Sequence, residues 1–320
     1  MKNNIFPPLT SISFTINTGY LHSLHIETSG NATGIPVVFL HGGPGSSCNE
    51  NHRRYFNPEQ YFIITFDQRG CGLSTPKGEL ADNTSQHLIN DLEQIRKHLN
   101  IGQWLIFGGS WGACLGLLYA QAFPERVNGM ILRGCFLARE QDLFWFSQHG
   151  ASEVFPEEWQ LFIQDIPVNE RADLVAAFYQ RLHHGDHATQ LKYAAIWADW
   201  SSKVATHNLS SSSSKRKPDE TLILKVKIET HYAFHRYFIE ENQILNNITA
   251  LPKVPVTIIH GELDRTCLLS ASRQLAASIP NSELIVLTNT GHLIEESNMI
   301  DALVAATDQF ITTYEHNTTK

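Results

Sequence analysis

Three residues that lie far apart in the chain have the types needed to activate a hydroxyl. Ser110 sits in Gly108-Gly109-Ser110-Trp111-Gly112, Asp264 ends His260-Gly261-Glu262-Leu263-Asp264, and His292 closes Thr290-Gly291-His292. Serine is a weak nucleophile until a base takes its proton; histidine can be that base, and an acid can orient the imidazole and stabilise its charged form. The chain holds 16 histidines, so the joint pattern counts for more than any one of them. Each of the three follows an aliphatic run, with 154 residues from Ser110 to Asp264 and 28 from Asp264 to His292. A fourth piece, His41-Gly42-Gly43-Pro44-Gly45, has the glycines that let backbone N–H groups turn toward a developing oxyanion. Gly43 and Trp111 are the expected donors.

Elements must hold these groups together. Pro36–Leu40, Tyr61–Phe66 and Gln103–Phe107 are short continuous apolar runs that each end in a glycine-containing turn, the look of strands buried on both faces of a parallel sheet. Between the last two, Thr84–Leu99 places apolar residues at 88, 89, 92, 95 and 99, which is helical spacing. Strand, helix and strand in one unit predict a right-handed crossover. Ala113–Phe123 predicts a helix directly after Ser110, so the serine falls on a strand–turn–helix elbow. Its two flanking glycines avoid clashes at that turn. With the order serine, acid, base, this predicts an α/β-hydrolase core with a mostly parallel sheet.

From about Cys135 the character changes. Four of the six tryptophans (145, 159, 197 and 200) lie between there and Asn246, and helical patterning dominates, as in Asp173–Leu182 and Gln190–Trp200. Ser210–Ser214, with Lys215-Arg216-Lys217 and Pro218, reads as an exposed loop. Strand patterns return at Val256–Ile259 and Leu284–Leu287, followed by a helix from about Ile300 to Tyr314. The expected organisation is a core of residues 1–134 and 247–320, with 135–246 inserted as a helical cap.

Composition narrows the function. With 42% apolar residues the chain can build a sizeable core, and a net charge of −8 lacks the basic footprint of a nucleic-acid binder. No apolar run reaches the ~18 residues of a membrane span. The first twenty residues, broken by Pro7-Pro8, lack a signal-peptide stretch. Five cysteines (48, 71, 114, 135, 267) without CxxC spacing suggest reduced thiols and a cytoplasmic location. His183-His184-Gly185-Asp186-His187 has metal-ligand residue types, but reads as a solvated helix end, and no metal or other cofactor is expected. Trp197 and Trp200, at i and i+3, share a helix face suited to core packing.

The motifs His41–Gly45, Asp67–Ser74, Gly108–Ala113 and Leu132-Arg133-Gly134, with Gln141–Trp159, resemble the proline iminopeptidase (prolyl aminopeptidase) family of α/β-hydrolases. The resemblance is collinear over most of the chain. It implies a cofactor-free serine exopeptidase that removes an N-terminal residue, typically proline, from small peptides with a free N-terminus. It carries the triad onto Ser110, Asp264 and His292 and the oxyanion donors onto Gly43 and Trp111. It also matches Cys267, three residues past the acid, as a thiol near the substrate pocket. Asp67–Gly70 reads as a brace for the oxyanion loop, with Arg69 in a buried ion pair.

Substrate recognition is where the chain departs from that family. The family's cap carboxylates face the substrate ammonium; one matches Glu229 in Ile228-Glu229-Thr230-His231-Tyr232, but the other falls on Ser201, after Trp197-Ala198-Asp199-Trp200. Asp199 is not expected to substitute for it, since on a helix it points roughly 200° away from position 201. An esterase, amidase or aminopeptidase of altered specificity is therefore the alternative enzyme. A non-catalytic binding protein of this fold would need a broken triad or oxyanion loop, and both are intact in the sequence.

Overall fold

The computed structural model describes residues 5–19, 21–206 and 218–318. The serine tract Ser210–Ser214 and the basic triplet Lys215-Arg216-Lys217 lie outside them. Chain order begins with strands β1 (Ile12–Asn17), β2 (Ser23–Gly30), β3 (Ile35–Leu40) and β4 (Tyr61–Phe66). Helix α1 (Ser85–His98), β5 (Trp104–Gly109), α2 (Trp111–Ala122) and β6 (Val127–Arg133) follow. Then, among the described residues, come seven helices without an intervening strand: α3 (Glu140–Ser147), α4 (Ala151–Val154), α5 (Pro156–Ile163), α6 (Leu174–His184), α7 (His187–Thr206), α8 (Glu220–Phe234) and α9 (Gln243–Asn246). The chain returns through β7 (Val256–Gly261), α10 (Leu269–Ser278), β8 (Glu283–Leu287) and α11 (Ser297–Thr318).

The eight strands form one sheet in the order β1-β2-β4-β3-β5-β6-β7-β8. Strands β3 to β8 run parallel; β1 and β2 are added antiparallel at one edge. Those two strands carry no continuous apolar run. β2 alternates buried and half-buried residues, the pattern of a strand with one wet face, and so it escapes a search for apolar runs. The central strand β5 is buried at every position.

Two apolar layers sandwich the sheet. On one face Val38, Leu40, Ile64 and Ile106 meet α1, α2 and α10; on the other Val37, Phe39, Ile63 and Phe107 meet α11. Helix α1 shows how sequence produces this. The Thr84 side chain caps its start by accepting from the His87 N–H, and Leu88, Ile89, Leu92 and Ile95 form the buried stripe. A third cluster belongs to the inserted helices, where Phe162, Phe178, Trp197 and Trp200 pack together with rings 4.6 to 5.9 Å apart. Not all of the insertion packs there: Leu137, Tyr232, Tyr237 and Ile244 join the layer beneath the sheet.

Candidate active site

Strand β5 delivers Ser110 at its C-terminal end, and α2 begins one residue later. Ser110 has φ 57° and ψ −123°, a conformation that costs a non-glycine residue free energy and persists only because its surroundings fix it. The amide of Ser110 donates to the Arg133 carbonyl on the neighbouring β6 at 2.9 Å. Gly108 and Gly112 allow the close approach: a Cβ on Gly108 would strike the Gly112 carbonyl, and one on Gly112 the Leu40 carbonyl.

Asp264 and His292 come from the loops after β7 and β8. His292 Nδ1 lies 2.7 Å from Asp264 Oδ2, while Asp264 Oδ1 accepts from the amides of Thr266 and Cys267, both at 2.9 Å. Burial alone would raise this carboxyl's pKa; the attraction and hydrogen bond of His292, with help from His260 and the Cys267 amide, outweigh it and hold Asp264 below the usual carboxylate range. The Nδ1–H of His292 is thus committed to the acid, leaving Nε2 to act as a base. Arg133 Nη1 donates to the His292 carbonyl, so one β6 residue holds both the Ser110 turn and the His292 loop.

Sequence reasoning gave no role to His260. It is fully buried, with Nε2 at 2.9 Å from the Cys267 carbonyl and 3.4 Å from Asp264 Oδ2. A carbonyl can only accept, so Nε2 carries the proton and Nδ1 accepts from Ser272 Oγ at 2.7 Å. No periodicity in the sequence distinguishes such a supporting histidine from the other fifteen.

The glycine turn after β3 passes over the serine, close enough that a Cβ on Gly42 would lie 3.6 Å from Ser110 Cβ. Gln68 ties this turn to Trp111: its Nε2 donates to the His41 carbonyl at 2.9 Å and its Oε1 accepts from Trp111 Nε1 at 2.9 Å. The Gln68 amide also donates to His41 Nε2 at 3.1 Å, which fixes that ring with its proton on Nδ1, facing the Gly42 carbonyl. Asp67 accepts from the Cys48 and Leu73 amides, and Arg69 makes a two-pronged pair with buried Asp91 at 2.7 Å. The Asp67–Gly70 run therefore braces the loop largely through Gln68.

Ser110, His292, Gly43, Ser201, Glu229 and Cys267 share one cavity of about 500 Å³, with Phe136, Phe146 and Trp197 among its apolar walls. Asp264 lies buried behind His292. Ser110 Oγ has Cys267 Sγ as its hydrogen-bond partner at 3.8 Å and makes no hydrogen bond to His292, a contact that commonly tightens only when substrate binds. Burial pushes the Cys267 thiol well above its ordinary pKa, so it is a neutral wall and not a competing nucleophile. Glu229 is half-buried and accepts from Trp197 Nε1 at 2.8 Å; Ser201 faces the cavity and Asp199 is exposed outside it. Trp197 therefore serves both the helical core and the cavity wall.

His184 and His187 are exposed, as a solvated helix end predicts, whereas His183 stacks on Tyr179 at 4.0 Å and reaches Thr230 Oγ1 at 3.2 Å. Among the described residues no group of three or more His, Cys, Asp or Glu could hold a metal ion, and no helix is long and apolar enough to cross a membrane.

Residues 35–298 match the family model described as the alpha/beta hydrolase fold. The chain is 42% identical over 293 residues to a proline iminopeptidase of Xylella fastidiosa, covering 91% of this chain and 93% of that one. It is 36% identical over 312 residues to a proline iminopeptidase of Arabidopsis thaliana, covering 96% and 82%. The chain belongs to the proline iminopeptidase family of α/β-hydrolases. A solved structure titled as a proline iminopeptidase of Mycobacterium smegmatis superposes with a TM-score of 0.63 over 96% of this chain and 100% of that one; at 18% identity it supports the fold alone. Within the family's frame, Ser201 lines the same cavity as Glu229, at the position where the sequence resemblance anticipates a second carboxylate.

Proposed function

We propose that the protein is a prolyl aminopeptidase-type serine hydrolase, releasing an N-terminal residue, preferentially proline, from small peptides. The observation that carries this reading is a carboxylate, Glu229, in the wall of the same cavity as Ser110 and His292. Ser110 Oγ adds to the carbonyl carbon of the N-terminal residue as His292 Nε2 takes its proton. The amides of Gly43 and Trp111 receive the negative charge that develops on the carbonyl oxygen. Collapse expels the amine with the proton from His292 and leaves an acyl-enzyme; water, activated by the same histidine, then frees the residue. Asp264 keeps its charge throughout and stabilises the imidazolium. Glu229 faces the substrate's ammonium, and Phe136 and Phe146 offer apolar surface to a pyrrolidine ring.

The inserted helices act as a cap, admitting a short chain end to the cavity. Five unpaired cysteines fit a reducing compartment such as the cytoplasm. The test is a panel of aminoacyl-arylamides and neutral aryl esters on the purified protein, with Ser110→Ala as the control. The proposal expects Pro-arylamide to be the best amide. If esters are cleaved and every prolyl substrate is ignored, the altered-specificity esterase or amidase takes its place. Ser201 is the observation that keeps this second reading alive, because it puts a neutral hydroxyl in the cavity wall.

A further inference from the structure

Glu229 has a donor or a cation on each of its oxygens before any ligand arrives. Oε2 accepts from Trp197 Nε1 at 2.8 Å, and Oε1 lies 3.5 Å from Lys225 Nζ, one turn earlier on α8. Lys225 lines the same cavity as Ser110. Two other charges in that wall are already engaged: Asp142 pairs with Arg139 at 2.7 Å, and Arg133 donates to the His292 carbonyl. Glu295 adds an exposed carboxylate to the cavity lining, and no ion pair joins it to Lys225; with Ser201 neutral, the ionic contact made by Glu229 is the one to Lys225.

We propose that Lys225 is a specificity-determining residue: its ammonium competes with the substrate's own for Glu229, so the cavity also accepts prolyl amides and esters whose nitrogen is acylated and uncharged. This rests on the reading that Glu229 receives the substrate's ammonium. A carboxylate left without a cation in a half-buried site penalises a neutral ligand, because binding removes its water and supplies no charge in return. Lys225 removes that penalty by remaining as the counter-ion. For a charged ligand the balance reverses, since the incoming ammonium must displace or crowd Lys225. The displacement is feasible. A lysine four residues before a glutamate is the weaker orientation of a helical pair, and the Lys225 side chain is 45% exposed. The effect is accordingly a factor of a few, not of thousands.

Two competitive inhibitors separate these terms without requiring peptidase turnover. Prolinol carries the ring and a cationic nitrogen; N-acetylprolinol carries the same ring with an uncharged nitrogen. Their Ki values are measured against hydrolysis of a neutral aryl ester. In the wild type the two should lie within about 5-fold of each other. Lys225→Met should lower the prolinol Ki by about 5-fold and raise that of N-acetylprolinol, while Lys225→Arg keeps the wild-type ratio. An unchanged ratio in Lys225→Met overturns the proposal, as does a wild type that binds prolinol more than about 100-fold better than its acetylated form. Glu229→Gln tells the two failures apart. If it weakens prolinol while Lys225→Met moves nothing, only the competition is wrong. If prolinol binding ignores Glu229→Gln, the ammonium role of Glu229 falls as well, and the competition with it.

Discussion

Ser110 Oγ is the hydroxyl at the end of the elbow, and the neighbouring thiol of Cys267 is held neutral by burial. Ser110→Ala should therefore cut kcat by a factor of ~10³ or more with the fold intact by circular dichroism. Retention of more than about one per cent of activity would sink the assignment. Gln68 makes a subtler prediction. It lies outside the cavity lining, but it joins the His41 carbonyl to the Trp111 indole and so sets the spacing of the two proposed oxyanion donors, Gly43 and Trp111. Gln68→Leu should lower kcat about 10-fold or more with little change in KM, because the donors act on charge that exists only in the transition state. Equal losses in kcat and in substrate binding would mean that the loop has simply collapsed. Glu229→Gln should reduce kcat/KM for Pro-arylamide far more than for a neutral aryl ester, since only the first presents a cation. Ser201→Glu should lower KM for the cationic substrate, ~10-fold if ~1.4 kcal/mol is regained. An equal effect of Glu229→Gln on both substrates would assign that residue to structure alone.

At the scale of elements, α8 joins the inserted helices to the core. It brings Glu229 to the cavity and, one turn on, latches to the loop before α1. Tyr232 donates to Asn83 Oδ1 at 2.9 Å, and His231 Nε2 lies 3.2 Å from the Asn83 carbonyl. Asn83 in turn donates to the carbonyls of Arg69 and Glu79. The Tyr232 ring also packs edge-on against Trp111 at 5.1 Å. Tyr232→Phe keeps that packing and orphans a buried acceptor, which costs about 1–3 kcal/mol. Urea unfolding should show the loss as a lower midpoint at unchanged slope. The same variant should raise KM, because the helix that positions Glu229 has lost an anchor; an unaltered KM would mean that the remaining contacts of α8 fix it unaided.

For the whole molecule, acid acts mainly through partly buried histidines. Burial comes first among the causes that push His52 down to about 4, His183 to about 3 and His231 to about 4, with neighbouring positive groups adding to it. His231 faces His235 and His183, and His183 faces Lys227 and His184, so no carboxylate offsets these shifts among the named causes. Histidines in the unfolded chain take protons near pH 6.5 while these three remain neutral in the fold, so the unfolded state binds more protons and stability falls as pH drops. Asp264 is shifted in the same direction, but in a carboxyl a depressed value contributes stability above the ordinary carboxylate range, lost only when pH falls through the folded value. Tm should thus be nearly flat above about pH 7 and decline from about 6.5 toward 4, with a shallower decline in His231→Gln. Calorimetry across that range checks it; a Tm unchanged down to pH 4.5 would remove the histidines from the account.

The elbow at Ser110, the positions of Asp264 and His292 after strands, and the parallel strands are legible in the sequence because each obeys a local rule. A serine between glycines needs a tight strand-to-helix turn, a doubly buried strand needs a continuous apolar run, and the chain order of the three groups follows the order of the strands that carry them. The antiparallel strands β1 and β2 escape because their alternation is diluted by polar residues on the wet face. His260 behind Asp264, Gln68 between two loops, Phe136 and Phe146 in the cavity wall and the Lys225–Glu229 pair escape for a different reason. All but the last are defined by a partner or a shared cavity that no local spacing reveals, as with Trp111 and Gln68, 43 residues apart; the i, i+4 spacing of Lys225 and Glu229 is visible on the helix, but not that both line the cavity of Ser110. The sequence by itself determined the fold class and the family to which the chain belongs. Only tertiary packing decided which side chains meet in the cavity and what charge they present there.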